Sequence, residues 1–274
     1  MESFTNLRYN LFGDVMLVKD VKFINGKVKI MFENSFLIIS KENYIENPLA
    51  IDSEINENKI QYLIDYEKIV LAKEKIIKLL NRKALSEFET YLKLKEMELH
   101  KKDIIPIIDE LKRCGLINDE FVAMITVESE LLKRKGKECI YKTLLSKKIN
   151  EETINNCLSQ IDEEVYRANF EKVVAKYEKM YSTKGELLKE KLLKQKLKEI
   201  GYEDSLILNI KLDNNREDEV QLAKTFISKL IKNKHYDLNN YENVNKIKIK
   251  LNMKGFSYDI INCALEEVKK NETY

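Results

Sequence analysis

Leu193-Lys-Gln-Lys-Leu197-Lys-Glu-Ile-Gly201-Tyr202-Glu-Asp-Ser-Leu-Ile207 is the stretch that decides how this chain is read. Two leucines four residues apart share one helical face. Four residues past Leu197 stands Gly201, the residue type that closes a helix in the left-handed conformation. Tyr202 follows, and Ile207 lies ten residues past Leu197, in the next helix. The layout recurs. Ile140–Leu144 leads to Lys148, Ile149 and Ile154, and Ile247–Leu251 leads to Gly255, Phe256 and Ile261. Phe88–Leu92 is a further pair at this spacing. The leucines Leu92, Leu144, Leu197 and Leu251 are then separated by 52, 53 and 54 residues. A fixed period of this size marks tandem copies of one supersecondary unit, and such arrays usually bind something long.

Working outward, each copy divides into helices A, B and C. The expected ranges are 66–82, 86–96 and 102–114; then 119–134, 137–147 and 151–161; then 163–182, 186–200 and 203–213; then 217–233, 242–254 and 258–271. Ser86 with Glu89 has the capping-box pattern, and Asn118 and Ser257 are good N-caps. Gly115 stands one residue past a helix end, and Gly136 and Gly185 stand where helix A hands over to helix B. Ile104, Ile105, Ile108 and Leu111 form one core stripe, and Phe226, Ile227, Leu230 and Ile231 another. Pro106 falls near a helix start, where proline is best tolerated.

The first ~45 residues read differently. Apolar residues alternate from Val21 to Phe32 around Asn25-Gly26, the strongest short hairpin signal. Phe36–Ile39 is a third strand, and an earlier one lies near Val15–Val18. The expected fold is therefore mainly α: tandem three-helix repeats forming an elongated curved array, with a small N-terminal β-hairpin or meander. The domains are a β-rich segment (1–45), a connector with a short acidic helix around Glu57–Ile64 (46–65), and repeats at 66–115, 116–162, 163–214 and 215–274.

The chain has 274 residues, 44% of them hydrophobic and 34% charged, with a net charge of +2, so any nucleic-acid contact must come from local patches. Such patches exist around helix B. Lys133, Arg134, Lys135, Lys137 and Lys142 form the first, with Lys147 and Lys148 behind them. Lys189, Lys191, Lys194 and Lys196 form the second, and Lys246, Lys248 and Lys250 the third. In a solenoid equivalent helices share a face, so these twelve candidate residues are expected to form one basic stripe. Lysines of this kind contact phosphate or carboxylate groups and do not read base sequence. A lysine-rich solvated face is the plainer alternative.

Catalytic readings find little support. Cys114, Cys139, Cys157 and Cys263 are scattered without a CxxC pair, and His100 and His235 have no partner that spacing suggests. No glycine pattern forms a phosphate loop. No run of about 18 apolar residues occurs, and the first residues lack a signal-peptide pattern. The expectation is a cytoplasmic monomer that is no enzyme, with no cofactor, no metal and no membrane contact.

Three segments carry a family resemblance. Arg82-Lys83-Ala84-Leu85-Ser86-Glu87-Phe88-Glu89-Thr90-Tyr91-Leu92 is similar to the R-x-x-S-x-x-E-x-x-x-L opening of the RecX family. Gly115-Leu116-Ile117-Asn118-Asp119-Glu120-Phe121-Val122-Ala123 is similar to its G-L-[IL]-[ND]-D-x-x-[FY]-A. Lys254-Gly255-Phe256 before Ile260-Ile261 is similar to its K-G-[IF] turn. In departure, Phe121 sits one position before the usual aromatic, which Val122 holds, and Glu96 and Lys148 stand where the K-G glycine is common. The resemblance covers most of the chain. It implies a non-catalytic modulator that binds the RecA recombinase filament, lies in its groove, and suppresses ATP hydrolysis, strand exchange and co-protease activity. The DNA backbone, single- or double-stranded and without sequence preference, is a second contact. A helix-turn-helix-like DNA-binding protein acting without a recombinase, and a helical scaffold for another partner, are the alternatives.

Overall fold

The computed structural model describes residues 15–210, 212 and 215–272. Residues 1–14 of the expected β-rich segment, Lys211, Asp213 and Asn214 at the end of the third expected repeat, and Thr273 and Tyr274 lie outside them. The chain is mainly helical, with a small antiparallel sheet near its N-terminus. It divides into two compact units, one up to Val122 and one from Ala123.

In the first unit, β1 (Met16–Leu17) pairs antiparallel with β5 (Glu54–Ile55), and β2 (Asp20–Ile24), β3 (Lys27–Met31) and β4 (Phe36–Ser40) form a meander. The hairpin closes at Asn25 and Gly26, with φ of 50° and 78°, the paired left-handed geometry that matches strand twist. Strand alternation buries Val28, Ile30, Leu37 and Ile39 against Ile60 and Leu63 of α2 (Glu57–Leu80). The helix expected at 57–64 is thus the first third of one 24-residue helix. No glycine or proline interrupts it, and Leu63, Glu67 and Val70 continue one buried face through the expected break.

The short α1 (Lys41–Glu46), absent from the sequence-based reading, is held by Glu67 of α2. One Glu67 carboxylate oxygen accepts from the Ser40 N–H (2.8 Å), the Ser40 hydroxyl (2.8 Å) and the Asn43 amide (3.0 Å). Ser40 in turn caps α1, accepting from the Asn43 N–H. A single buried carboxylate thereby ties strand, short helix and long helix together.

The remaining helices of this unit are α3 (Glu87–Glu96) and α4 (Lys101–Arg113), followed by the start of α5 (Asp119–Leu132). Ser86 and Glu89 form the capping box. The first copy of the recurring layout sits two residues later than the apolar pattern suggests. Leu92 is 39% exposed, whereas Thr90 and Leu94 are fully buried. The inward pair is Thr90–Leu94, and apolar matching misses it because one member is polar. Four residues past Leu94 stands Glu98 (φ 63°), and ten residues past it the buried Ile104. Glu98, not Glu96, therefore occupies the turn position, alongside Lys148 (φ 58°), Gly201 (94°) and Gly255 (90°).

On α4 the buried stripe is Ile104, Ile107, Ile108 and Leu111, the i, i+3, i+4, i+7 set. Ile105, expected in the core, lies outside the stripe and is exposed. Pro106 is the sixth residue of α4, deeper than a helix start, and faces outward.

The second unit runs from the body of α5 through α6 (Lys137–Ser146), α7 (Glu151–Ser159), α8 (Glu163–Met180), α9 (Glu186–Ile200), α10 (Asp204–Leu208), α11 (Arg216–Lys234), α12 (Tyr241–Met253) and α13 (Tyr258–Glu272). The pairs Ile140–Leu144, Leu193–Leu197 and Ile247–Leu251 are all fully buried. So are Ile149, Tyr202 and Phe256 after each turn, and Ile154, Ile207 and Ile261 beyond. α10 is shorter than the expected 203–213.

Neighbouring copies in this unit meet through main chain. The Gly136 N–H donates to the Ile200 carbonyl and the Glu138 N–H to the Gly201 carbonyl, both at 3.1 Å. One copy further on, the Gly185 N–H donates to the Lys254 carbonyl (2.9 Å) and the Leu187 N–H to the Gly255 carbonyl (3.1 Å). A Cβ on Gly136 would stand 2.0 Å from the Gly201 oxygen, and one on Gly185 2.4 Å from the Gly255 carbonyl carbon. Glycine at these two positions is what lets the backbones approach.

Candidate partner-binding surface

The start of helix B lies beside the first of the two main-chain joints and is further held by side chains. The Lys137 N–H donates to the Tyr166 oxygen (3.0 Å), and that hydroxyl donates to the Glu203 carboxylate (2.7 Å). The Tyr202 hydroxyl donates to the Arg134 carbonyl (3.1 Å). Beneath, Tyr202 packs edge-on against Phe170 and tilted against Tyr166. Burial first, then the Glu203 carboxylate, pushes the Tyr166 phenol far above its usual range. Burial raises Tyr202 to about 12. Both rings stay neutral and rigid at any physiological pH.

Around this frame the twelve candidate cations fall into two groups. Six hold carboxylates close by. Lys133 pairs with Glu130 (2.6 Å), Lys189 with Glu178 (3.0 Å), Lys196 with Glu199 (2.9 Å) and Lys246 with Glu242 (3.9 Å), while Lys137 meets Glu163 and Lys194 meets Glu190. Four of these pairs are i,i+3 or i,i+4 contacts within a helix, which spacing alone makes available. The other six carry no ion pair among the described residues. Arg134 and Lys135 precede α6, Lys142 lies on it, Lys191 lies on α9, and Lys248 and Lys250 lie on α12. Lys250 donates to the Tyr236 hydroxyl (2.8 Å) and sits 4.8 Å above that ring.

No group of three or more potential metal-ligating side chains occurs among the described residues. No described helix is long and apolar enough to cross a membrane. Sequence reasoning missed Glu67, whose role needs a strand and a helix 27 residues apart in sequence to meet. It also missed Tyr166 as a joint residue, because an aromatic on an apolar face reads as core until its hydroxyl is placed.

The chain is a mainly helical protein with a small antiparallel sheet in its first unit, and α6, α9 and α12 of the second unit each carry an exposed lysine, Lys142, Lys191 and Lys246. No family model matches the chain. It is 27% identical over 241 residues to the regulatory protein RecX of Lactococcus lactis subsp. lactis (strain IL1403), covering 84% of this chain and 88% of that one. It is 28% identical over 228 residues to the regulatory protein RecX of Clostridioides difficile (strain 630), covering 82% of this chain and all of that one. In fold it is similar to a crystal structure of a regulatory protein RecX, with a TM-score of 0.62 over 71% of this chain and 98% of that one, at 22% identity. The likeness to regulatory proteins RecX thus runs along most of the chain in sequence, and one such structure shares its fold.

Proposed function

We propose that this protein is a non-catalytic regulator that binds the RecA recombinase filament on DNA and inhibits its ATPase, strand-exchange and co-protease activities in the cytoplasm. The observation that carries this reading is the likeness to regulatory RecX proteins along more than four-fifths of the chain. The surface chemistry is compatible with it. Arg134, Lys135, Lys142, Lys191, Lys248 and Lys250, which pair with no carboxylate among the described residues, are the residues to meet acidic protein surface or DNA phosphate. The paired lysines can join them by exchanging partners, because an exposed ion pair contributes only ~0–1 kcal/mol. The helices bearing these cations offer mainly lysine, which suits phosphate and carboxylate better than base edges.

The test is DNA-dependent ATP hydrolysis by RecA with increasing amounts of the protein. Inhibition well below one molecule per RecA protomer is expected, with no hydrolysis by the protein alone. Unchanged hydrolysis at saturation refutes the reading. Co-sedimentation with RecA on single-stranded DNA, against RecA alone and DNA alone, separates filament binding from DNA binding.

A further inference from the structure

Between α11 and α12 lies a recess of about 380 Å³ whose lining differs from the other clefts of the second unit. Its floor is Phe226, Leu230 and Leu251, Met253 and Asn233 stand at its edge, and its rim is Lys229, Lys234, Lys250 and Lys254. No carboxylate lines it. By contrast, the cleft at the start of α9 sets Lys184 and Lys189 among Glu186, Asp218 and Glu219, and the cleft beside Tyr177 pairs Lys196 with Glu199.

None of the four rim lysines forms an ion pair with a described residue. Their heads rest instead on aromatic rings or point to water. Lys254 sits 4.5 Å above the Phe226 ring, and Lys250 sits over Tyr236. The Tyr236 phenol registers the resulting field. Its pKa is lowered, first by the hydrogen bond from Lys250 and then by the charges of Lys250, Lys234 and Lys246. Met253 is 76% exposed at the lip, an apolar side chain that the chain itself does not cover.

An apolar floor under four uncompensated ammonium groups has a definite complement. We propose that this recess docks an acidic peptide segment carrying one large apolar side chain, which fills the floor while flanking carboxylates pair with the rim lysines. Burial of the apolar anchor supplies affinity, and the ring of charge supplies orientation and rate of encounter. The nearly hydrocarbon lining offers few partners for the polar edges of a nucleobase, so a peptide suits it better than a nucleotide. The inference rests on charge and shape, and stands whether or not RecA is the regulated protein.

The probe is a fluorescent dodecapeptide of aspartate and glutamate around a central phenylalanine, titrated with the full chain and read by anisotropy at low and physiological salt. The expected result is saturable binding that weakens about tenfold or more when the phenylalanine becomes alanine. A similar loss is expected in the Lys250→Glu, Lys254→Glu double variant. All rim changes are at the surface. A Lys229→Ala, Lys234→Ala double variant provides a milder version, and circular dichroism verifies the fold of each. Equal binding of the alanine peptide, or full affinity in both rim variants, overturns the proposal. So does tighter binding of a single-stranded oligonucleotide or of laurate through the same lysines.

Discussion

Replacing Gly136 by alanine tests whether the copies are truly joined through main chain. At φ −78° the backbone accepts an L side chain without strain, so the whole effect must come from the neighbour. The new Cβ would stand 2.0 Å from the Gly201 oxygen, 2.1 Å from its carbonyl carbon and 2.3 Å from the Tyr202 nitrogen. All three atoms are main chain, so no rotamer change relieves the clash. The next copy must move by about 1 Å, which forfeits the Gly136 and Glu138 hydrogen bonds at about 1 kcal/mol each. Overpacking adds ~1–3 kcal/mol, and the stiffer unfolded chain returns ~0.4–1. The expected net loss is about 2–5 kcal/mol. Gly115→Ala is the control. There nothing lies within 4 Å of a Cβ, and only the left-handed φ of 70° is penalised, by ~1–2 kcal/mol. Urea denaturation followed by circular dichroism measures both. Hydrogen exchange should show Gly136→Ala loosening α6 and α9 while β2–β4 keep their protection. A loss no greater than that of Gly115→Ala would refute the joint.

The other expectations are brief. Glu67→Ala strands three donors from Ser40 and Asn43, and should cost about 3–5 kcal/mol, with faster exchange in β4 and α1. Thr90 Oγ is buried without a hydrogen-bond partner, so Thr90→Val should raise the denaturation midpoint, by about 1 kcal/mol. Tyr202 titrates near 12 when folded and near 10 when unfolded, so between those values the unfolded chain binds fewer protons and stability falls as pH rises. Urea midpoints at pH 9, 10 and 11 should drop across that window. Tyr202→Phe should make the drop smaller, with Tyr166, whose phenol is also raised, keeping its own share, and an unchanged slope would contradict it.

Much of the helical architecture was legible because its signals are local. Capping residues, turn glycines and 3.6-residue stripes fixed most helix ends to within a residue or two. The errors share one cause. Leu92 was chosen over Leu94 because the inward partner four residues earlier is Thr90, and a hydrophobicity pattern cannot see a buried hydroxyl. Ile105 competes with Ile107 because four isoleucines crowd around Pro106, and only the packed helix shows which face inward. The β1–β5 pairing and the Glu67 cluster join residues distant in sequence. On the surface, the lysine patches were visible as composition, while their division into paired and unpaired groups depends on rotamers and on helices meeting across copies. Gly136 and Gly185 were read as handover points. That each receives the backbone of the next copy is a tertiary fact.

Of the B helices, α9, fifteen residues long, runs from one joint at Gly185 to the other at Gly201, while α6, ten residues long, starts at a joint and ends at the turn residue Lys148. From Gly136 to the turn residue Lys148 is 12 positions, and from Gly185 to Gly201 it is 16. The difference is four residues, about one helical turn or ~6 Å, so the longer rod still presents its buried leucine pair to the same side. Helix B length thus differs by a whole turn between the two copies while the joint at its start keeps the same main-chain form. An insertion of four residues in α6 would lengthen the stride and keep its inner face, whereas an insertion of two would turn that face by ~200° and unseat the copy.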